Sequence, residues 1–254
     1  MRSDVIKVII LAAGEGTRLR PYTLDRPKCM VEIDGLSLID RQLRVLDHAS
    51  IKDIVIIGGY KIEMLEGKGD RLKVNPRYSE TNMVWTLFSA EEELEGDLII
   101  SYGDIVYSHK ILQALLDSKF DISVIIDKQW ESYWRARNDN PLDDAETLKL
   151  RNDGSIIEVG QKPKSLQEIQ GQYIGLMKFS SSGISQIKKI FYDAKAKGEL
   201  LGKPLENAYM TDLLQAAIND GVIVNSLPIE GGWVEVDTMD DMKSVVTSDR
   251  LKMI

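Results

Sequence analysis

The sequence predicts an α/β fold: a doubly wound, mostly parallel central sheet with helices on both faces and a β-hairpin inserted in the second half of the chain. Two observations carry this. Apolar runs recur at residues 5–11, 54–57, 98–100, 122–126 and 222–224 almost without polar alternation, as expected of strands buried on both faces. Segments with helical spacing lie between them, so strand and helix alternate as the crossover connections of a parallel sheet require. In a Rossmann-like sheet of this kind, ligands bind beyond the carboxyl ends of the strands.

Taken in order, the first strand (5–11) runs into Leu11-Ala12-Ala13-Gly14-Glu15-Gly16-Thr17-Arg18, where small residues let the backbone approach a ligand. Ser37 is the expected N-cap of a helix over 38–49, with Ile39, Leu43 and Leu46 on one face. Gly58-Gly59-Tyr60 ends the second strand, Asn82 starts a helix, and Tyr102-Gly103-Asp104 ends the third strand. Ser108 then precedes Ile111, Leu112, Leu115 and Leu116 at helical spacing. From Thr147 the pattern changes, because segments 147–150 and 156–159 flank the turn signal Asn152-Asp153-Gly154. A strand over 172–179 is expected to pair near this hairpin. It is followed by a helix around 184–195, a loop with Gly202 and Pro204, and a helix over about 207–220 closed by Gly221. Thr238 caps the last helix, with acidic residues in its first turn. We expect one domain over 1–254, with no repeat and no low-complexity segment.

With 254 residues the chain can bury a full core, and 43% hydrophobic and 28% charged residues are ordinary for a soluble protein. No apolar run approaches the roughly 18 residues that span a bilayer. The start, Met1-Arg2-Ser3-Asp4, lacks a secretory cleavage site, and the single Cys29 excludes an internal disulfide; both fit a cytoplasmic protein. The net charge of −8 argues against nucleic acid as a partner and suits a small anion held by a local basic loop. A homo-oligomer is compatible with the sequence.

That basic loop spans residues 11–28 and adds Arg18, Arg26 and Lys28 to its glycines. Successive N–H groups in such a turn form a concavity that suits phosphate oxygens. Two better-known glycine motifs do not fit: the third glycine of G-x-G-x-x-G would fall at Leu19, and no Gly-Lys-Ser/Thr closes the loop. Gly14 and Gly16 alone are equally compatible with a tight turn. The whole stretch is more specific. Gly14, Gly16, Arg18, Pro27 and Lys28 in this order resemble the signature loop of the nucleotidyltransferase superfamily that makes nucleotide sugars and CDP-activated head groups. The resemblance implies a nucleotide-diphospho-sugar transferase-like fold. It also implies a loop that wraps a triphosphate, with Arg18 and Lys28 catalytic and Lys28 against the phosphorus under attack. Leu11, Ala12, Ala13, Gly14, Gly16, Thr17 and Gly103 then line the nucleotide.

Asp104 and Asp237 both stand at strand ends, and two carboxylates from distant parts of a chain suit one Mg²⁺ shared with phosphate oxygens. A turn aspartate and a neighbour of an N-cap are the plainer readings. The superfamily carries metal aspartates at both positions, so the resemblance implies Mg²⁺ at Asp104 and Asp237. The implied reaction is attack by a phosphate or phosphonate oxygen on the α-phosphorus of a nucleoside triphosphate, with pyrophosphate leaving. The nucleophile is already an anion, so no general base is needed and catalysis consists of alignment and charge stabilisation.

Asn82 is an N-cap by position, and in the cytidylyl-transferring branch a similar helix start borders the pyrimidine; we assign Asn82 and Tyr60 to the base pocket. Lys162, in a Lys-Pro pair, resembles a family lysine that contacts the acceptor phosphate, the plainer reading being a solvated side chain. The segments 130–147, 171–176 and 208–212 resemble the phosphocholine and phosphonate cytidylyltransferases, most of all those acting on 2-aminoethylphosphonate. That resemblance covers nearly the whole chain and makes residues 128–180 an acceptor-side insertion. Trp134, Asp144 and Tyr173 there would surround a cationic head group. The expected function is a Mg²⁺-dependent cytidylyltransferase using CTP and a small phosphonate or phosphate-ester acceptor. The alternatives are a sugar-1-phosphate nucleotidyltransferase and a nucleotide-sensing domain without turnover.

Overall fold

The computed structural model describes residues 6–252 and 254; Val5, the expected first residue of the opening strand, and Met1-Arg2-Ser3-Asp4 lie outside that set. At its centre is a seven-stranded sheet in the order Asn225–Ile229, Ile122–Asp127, Gln172–Phe179, Leu98–Tyr102, Lys7–Ala12, Ile54–Gly58, Arg71–Val74. All strands point the same way except Gln172–Phe179, which runs antiparallel to both neighbours. The α/β, mostly parallel arrangement expected from the sequence is therefore present.

The apolar runs are unbroken because both faces are covered. Val8 and Ile10 face a core shared with the helices Leu38–His48 and His109–Asp117, while Ile9 and Leu11 face one shared with Ser181–Lys197 and Met210–Asn219. Each fully buried side chain of this size contributes about 1.5–3 kcal/mol. Ser37 caps its helix as expected, its hydroxyl accepting the Asp40 N–H at 3.1 Å. Thr238 does the same for Met239–Lys243.

Several expectations are corrected. The last sheet strand is Asn225–Ile229 rather than 222–224. It is a half-exposed edge strand containing Pro228, so it lacks an apolar run, and Val224 before it only anchors the approach. Gln172–Phe179 does not pair with the hairpin Leu148–Leu150/Ile156–Val159; it lies inside the central sheet. The helix expected over 207–220 begins at Met210 after a 3-10 turn at Leu205–Asn207. The loop with Gly202 and Pro204 closes as a tight pairing of Glu199–Leu200 with Lys203–Pro204.

This topology decides what reaches the functional edge. The carboxyl ends of Lys7–Ala12, Ile54–Gly58 and Leu98–Tyr102 lie there. The reversed strand brings its amino end to the same edge, with Gln172 opposite Asp127 and Tyr173 opposite Ile126. A small antiparallel pair, Ile105–Tyr107 with Trp233–Glu235, completes it. Among the described residues no helix is long and apolar enough to cross a membrane.

Candidate active site

The loop after Ala12 is shaped by Gly16, which adopts φ 63°, a left-handed conformation that favours glycine; an added Cβ would lie 3.0 Å from Lys28 Cβ. The Gly16 carbonyl accepts the Leu19 N–H at 2.9 Å and the Thr23 hydroxyl at 2.7 Å, folding Arg18 and Lys28 back toward the sheet edge. Asp104 arrives by another route. The Gly103 N–H donates to the Leu11 carbonyl at 2.9 Å, which fixes the turn out of Leu98–Tyr102 beside the loop. Glu235 pairs with Ile105, and the Val236 N–H donates to the Asp104 carbonyl at 3.1 Å, so Asp237 emerges next to Asp104.

The three segments meet at one ammonium. Lys28 Nζ donates to Asp104 Oδ2 at 2.5 Å and to Asp237 Oδ1 at 2.5 Å, and the three side chains are 13–15% exposed. The outer oxygen of Asp237 pairs with the exposed Arg18 guanidinium. Burial by itself would depress the Lys28 ammonium, but Asp104, Asp237 and Glu235 outweigh it and hold its pKa above the ordinary lysine value. Asp104 Oδ1 is buried and has no hydrogen-bond partner among the described residues. An unpartnered carboxylate oxygen beside a second carboxylate is an arrangement that a hard divalent cation fits.

Lys28 lines one pocket, and its partner Asp237 lines a second. The first is lined by residues 11–14 with Lys28 and Asp104, and by Tyr78, Thr81, Asn82 and Thr86. Asn82 Oδ1 accepts the Met83 N–H at 2.9 Å, so it caps its helix and faces the pocket at once. The second is lined by Arg18, Asp237 and Glu235 together with Trp134, Asp144, Glu146 and Tyr173. Met83 and Tyr102 form the wall common to both. Gly175, at φ 81°, lets the Tyr102 ring lie against the reversed strand, since an added Cβ would come within 2.4 Å of it.

The second pocket is acidic and aromatic. The carboxylates of Asp144 and Glu146 make no hydrogen bond or ion pair among the described residues. Burial, and then the charges of Asp212 and Asp144, push the Glu146 carboxyl up to about 7. Gln172 holds this segment, accepting the Glu146 N–H at 3.0 Å and donating to its carbonyl at 2.5 Å. Trp134 packs edge-on against Tyr133, and Tyr173 edge-on against Tyr102.

Of the residues singled out in the sequence, the structure brings together Lys28, Arg18, Asp104 and Asp237. Leu11, Ala12, Ala13, Gly14, Asn82 and Gly103 line the first pocket, and Trp134, Asp144 and Tyr173 the second. Gly16 shapes the loop from behind, and Thr17 opens the 3-10 turn Thr17–Leu19 without lining either pocket. Tyr60 also lies outside the lining: its hydroxyl donates to the Leu24 carbonyl at 2.8 Å and its ring backs Tyr78. Lys162 donates to the carbonyls of Leu142 and Asp143, pinning the turn that leads into Asp144. Residues that sequence reasoning left unassigned include Tyr78, Tyr102, Glu146 and Gln172. Tyr102 carried a signal as the last strand residue before Gly103-Asp104, and Glu146 and Gln172 lay within the segments 130–147 and 171–176 that carried the resemblance, whereas Tyr78 had none.

The model of the MobA-like NTP transferase domain matches residues 8–142. CTP:phosphoglutamine cytidylyltransferase of Campylobacter jejuni subsp. jejuni serotype O:2 is 41% identical over 250 residues, which cover 94% of this chain and 98% of that protein. Choline-phosphate cytidylyltransferase of Streptococcus pneumoniae strain R6 is 36% identical over 119 residues, 45% of this chain and 52% of that one. In fold, the solved structure of CTP:phosphocholine cytidylyltransferase from Streptococcus pneumoniae superposes with a TM-score of 0.74 at 23% identity, covering 96% of this chain and 98% of that chain.

Proposed function

Because the chain belongs to the family of MobA-like NTP transferase domains and is a nucleotidyltransferase of the cytidylyltransferase type, we propose that it transfers CMP from CTP to a small acceptor bearing both an anionic phosphoryl or phosphonyl group and an ammonium group. One observation carries the ammonium half. Asp144 and Glu146, whose carboxylates make no ion pair among the described residues, line a pocket together with Trp134, Tyr173, Asp237 and Arg18. Carboxylates beside aromatic faces attract an organic cation.

In the proposed reaction an acceptor oxygen forms a bond to the α-phosphorus of CTP. The bond from that phosphorus to the bridging oxygen of the β-phosphate breaks, and pyrophosphate leaves with the electron pair. No proton has to move. The loop backbone at Ala13 and Gly14 receives the triphosphate, and Asn82 with Thr81 and Thr86 borders the base. Lys28 neutralises charge that builds on the α-phosphoryl oxygens, and Arg18 faces the acceptor's anionic end. Asp104 and Asp237 would hold Mg²⁺, which when bound polarises phosphoryl oxygens as a Lewis acid.

For the acceptor itself, the sequence favours 2-aminoethylphosphonate, and the 41% identity to the Campylobacter jejuni protein favours an amino-acid phosphate of the phosphoglutamine type. Both carry an ammonium group, as does phosphocholine. The test is pyrophosphate release with Mg²⁺ and CTP, offering 2-aminoethylphosphonate, phosphoglutamine, phosphocholine and glucose-1-phosphate in parallel. Turnover confined to ammonium-bearing acceptors supports the reading. Turnover only with glucose-1-phosphate, or CTP binding with no release from any acceptor, contradicts it.

A further inference from the structure

One buried side chain links the aromatic wall of the acceptor pocket to the catalytic carboxylate without lining either pocket. Arg137 is the last residue of the helix Trp130–Arg137, which carries Trp134, and its side chain is 7% exposed. Nε and Nη2 donate to the two oxygens of Asp241, at 2.8 and 3.1 Å, and Nη1 donates to Glu235 Oε2 at 2.8 Å. Asp241 in turn accepts the backbone N–H of Asp237 at 3.0 Å, the backbone N–H of Thr238 at 2.9 Å and the Thr238 hydroxyl at 3.0 Å. Behind the guanidinium lie the rings of Tyr133 and Trp134, at 5.1 and 5.6 Å from its carbon.

We propose that Arg137 is a positioning residue for cytidylyl transfer: through Asp241 it fixes the turn that aims Asp237 at Lys28, and it holds that turn in register with the Trp134 wall. The backbone amides of Asp237 and Thr238 need an acceptor in one place, and Asp241 can serve both only if its own carboxylate is held still. A bidentate guanidinium does this, and its third arm fixes Glu235 so that Asp237 is the carboxylate presented to Lys28. Lysine at this position would supply a point charge without the planar fork that holds both oxygens of Asp241 at once. The inference concerns Asp237 alone and holds whichever acceptor the enzyme uses.

The experiment compares Arg137→Lys and Asp241→Asn with wild type in three measurements: CTP affinity by calorimetry in EDTA, Mn²⁺ affinity of the CTP complex by electron paramagnetic resonance, and kcat with the wild type's best acceptor. The nucleotide pocket contains neither residue, so CTP affinity in EDTA stays within about twofold while Mn²⁺ affinity and kcat fall roughly 10- to 100-fold, the range for residues that orient metal ligands. Unchanged Mn²⁺ affinity and kcat in a folded Arg137→Lys protein overturn the proposal. So does a loss of CTP affinity equal to the loss of kcat, which marks general loosening. Asp241→Asn is read the same way should Arg137→Lys fail to fold, because it keeps the shape while removing the charge and replacing one of the two accepting oxygens by an N–H donor. A wild type that binds Mn²⁺ with CTP but turns over no acceptor refutes the proposed function and leaves the Mn²⁺ comparison intact.

Discussion

Asp104 and Asp237 share one cation: Lys28 Nζ lies 2.5 Å from an oxygen of each, although the three residues come from the opening loop, a mid-chain strand end and a late turn. Burying charges is costly unless they are paired, and a hydrophobic packing of the same volume would often be as stable. The arrangement is therefore best understood by what the ammonium can do when the carboxylates take another partner.

If Lys28 stabilises the charge that develops at the α-phosphorus, Lys28→Ala loses about 3–4 kcal/mol of transition-state stabilisation, or roughly 100- to 1,000-fold in rate. Pyrophosphate release at saturating CTP and acceptor reads this directly. A variant within tenfold of wild type would mean that Lys28 is structural.

Asp104→Asn and Asp237→Asn keep the side-chain shape and remove a charged oxygen ligand. CTP alone should still raise Tm in both variants, because the pocket walls around Asn82 and Gly14 are untouched. The further rise that Mg²⁺ gives the wild-type CTP complex should vanish. Differential scanning fluorimetry with and without Mg²⁺ tests it, and a full Mg²⁺ increment in both variants would remove these residues from the metal site.

Glu146 supplies a pH dependence. Burial and the neighbouring charges of Asp212 and Asp144 raise its carboxyl to about 7, so in the free protein it becomes anionic only as pH rises through about 7. Acceptor KM should fall over that interval, since an ammonium is held by the carboxylate form. The acceptor's own titration is common to wild type and Glu146→Gln, so the difference between their profiles is the readout; superimposable profiles would contradict the assignment. The stability sign is opposite. The unfolded chain ionises near its ordinary value of 4.5 while the folded one stays protonated, so the stability this group contributes at low pH is lost between about pH 4.5 and 7. Glu146→Gln should flatten that slope in chemical denaturation.

Trp134 should act on the acceptor alone. Trp134→Leu keeps an apolar side chain and removes the aromatic face, and a desolvated cation–π contact is worth about 2 kcal/mol, so acceptor KM should rise roughly 30-fold with CTP KM unchanged. Parallel changes in both constants would instead indicate a packing role.

The sheet and the charge centre were legible in the sequence because their signals are local. Uninterrupted apolar runs mark strands buried on both faces, and the order Gly14, Gly16, Arg18, Lys28 marks the loop. What the sequence concealed depends on pairing. Asn225–Ile229 is a half-exposed edge strand, and edge strands lack the apolar signature that finds their neighbours. Gln172–Phe179 reads as a strand, but nothing in it says that it runs backwards through the middle of the sheet, and that reversal places Gln172 and Tyr173 at the site. Arg137 has no signal of its own in the sequence and Asp241 only that of an acidic residue in a first helical turn, yet the fold buries them against each other.

The central claim is that the acceptor pocket selects a cation, and the most direct test compares two acceptors differing only in that charge. With CTP and Mg²⁺, kcat/KM for 2-aminoethylphosphonate is measured against propylphosphonate, and for phosphocholine against its uncharged 3,3-dimethylbutyl phosphate isostere. A site built around the exposed Asp144 and the half-buried Glu146 should favour the charged member of the pair it accepts by roughly 10-fold, because the neutral isostere forfeits the attraction of those carboxylates and of the aromatic faces beside them. Equal kcat/KM within a pair would contradict the account.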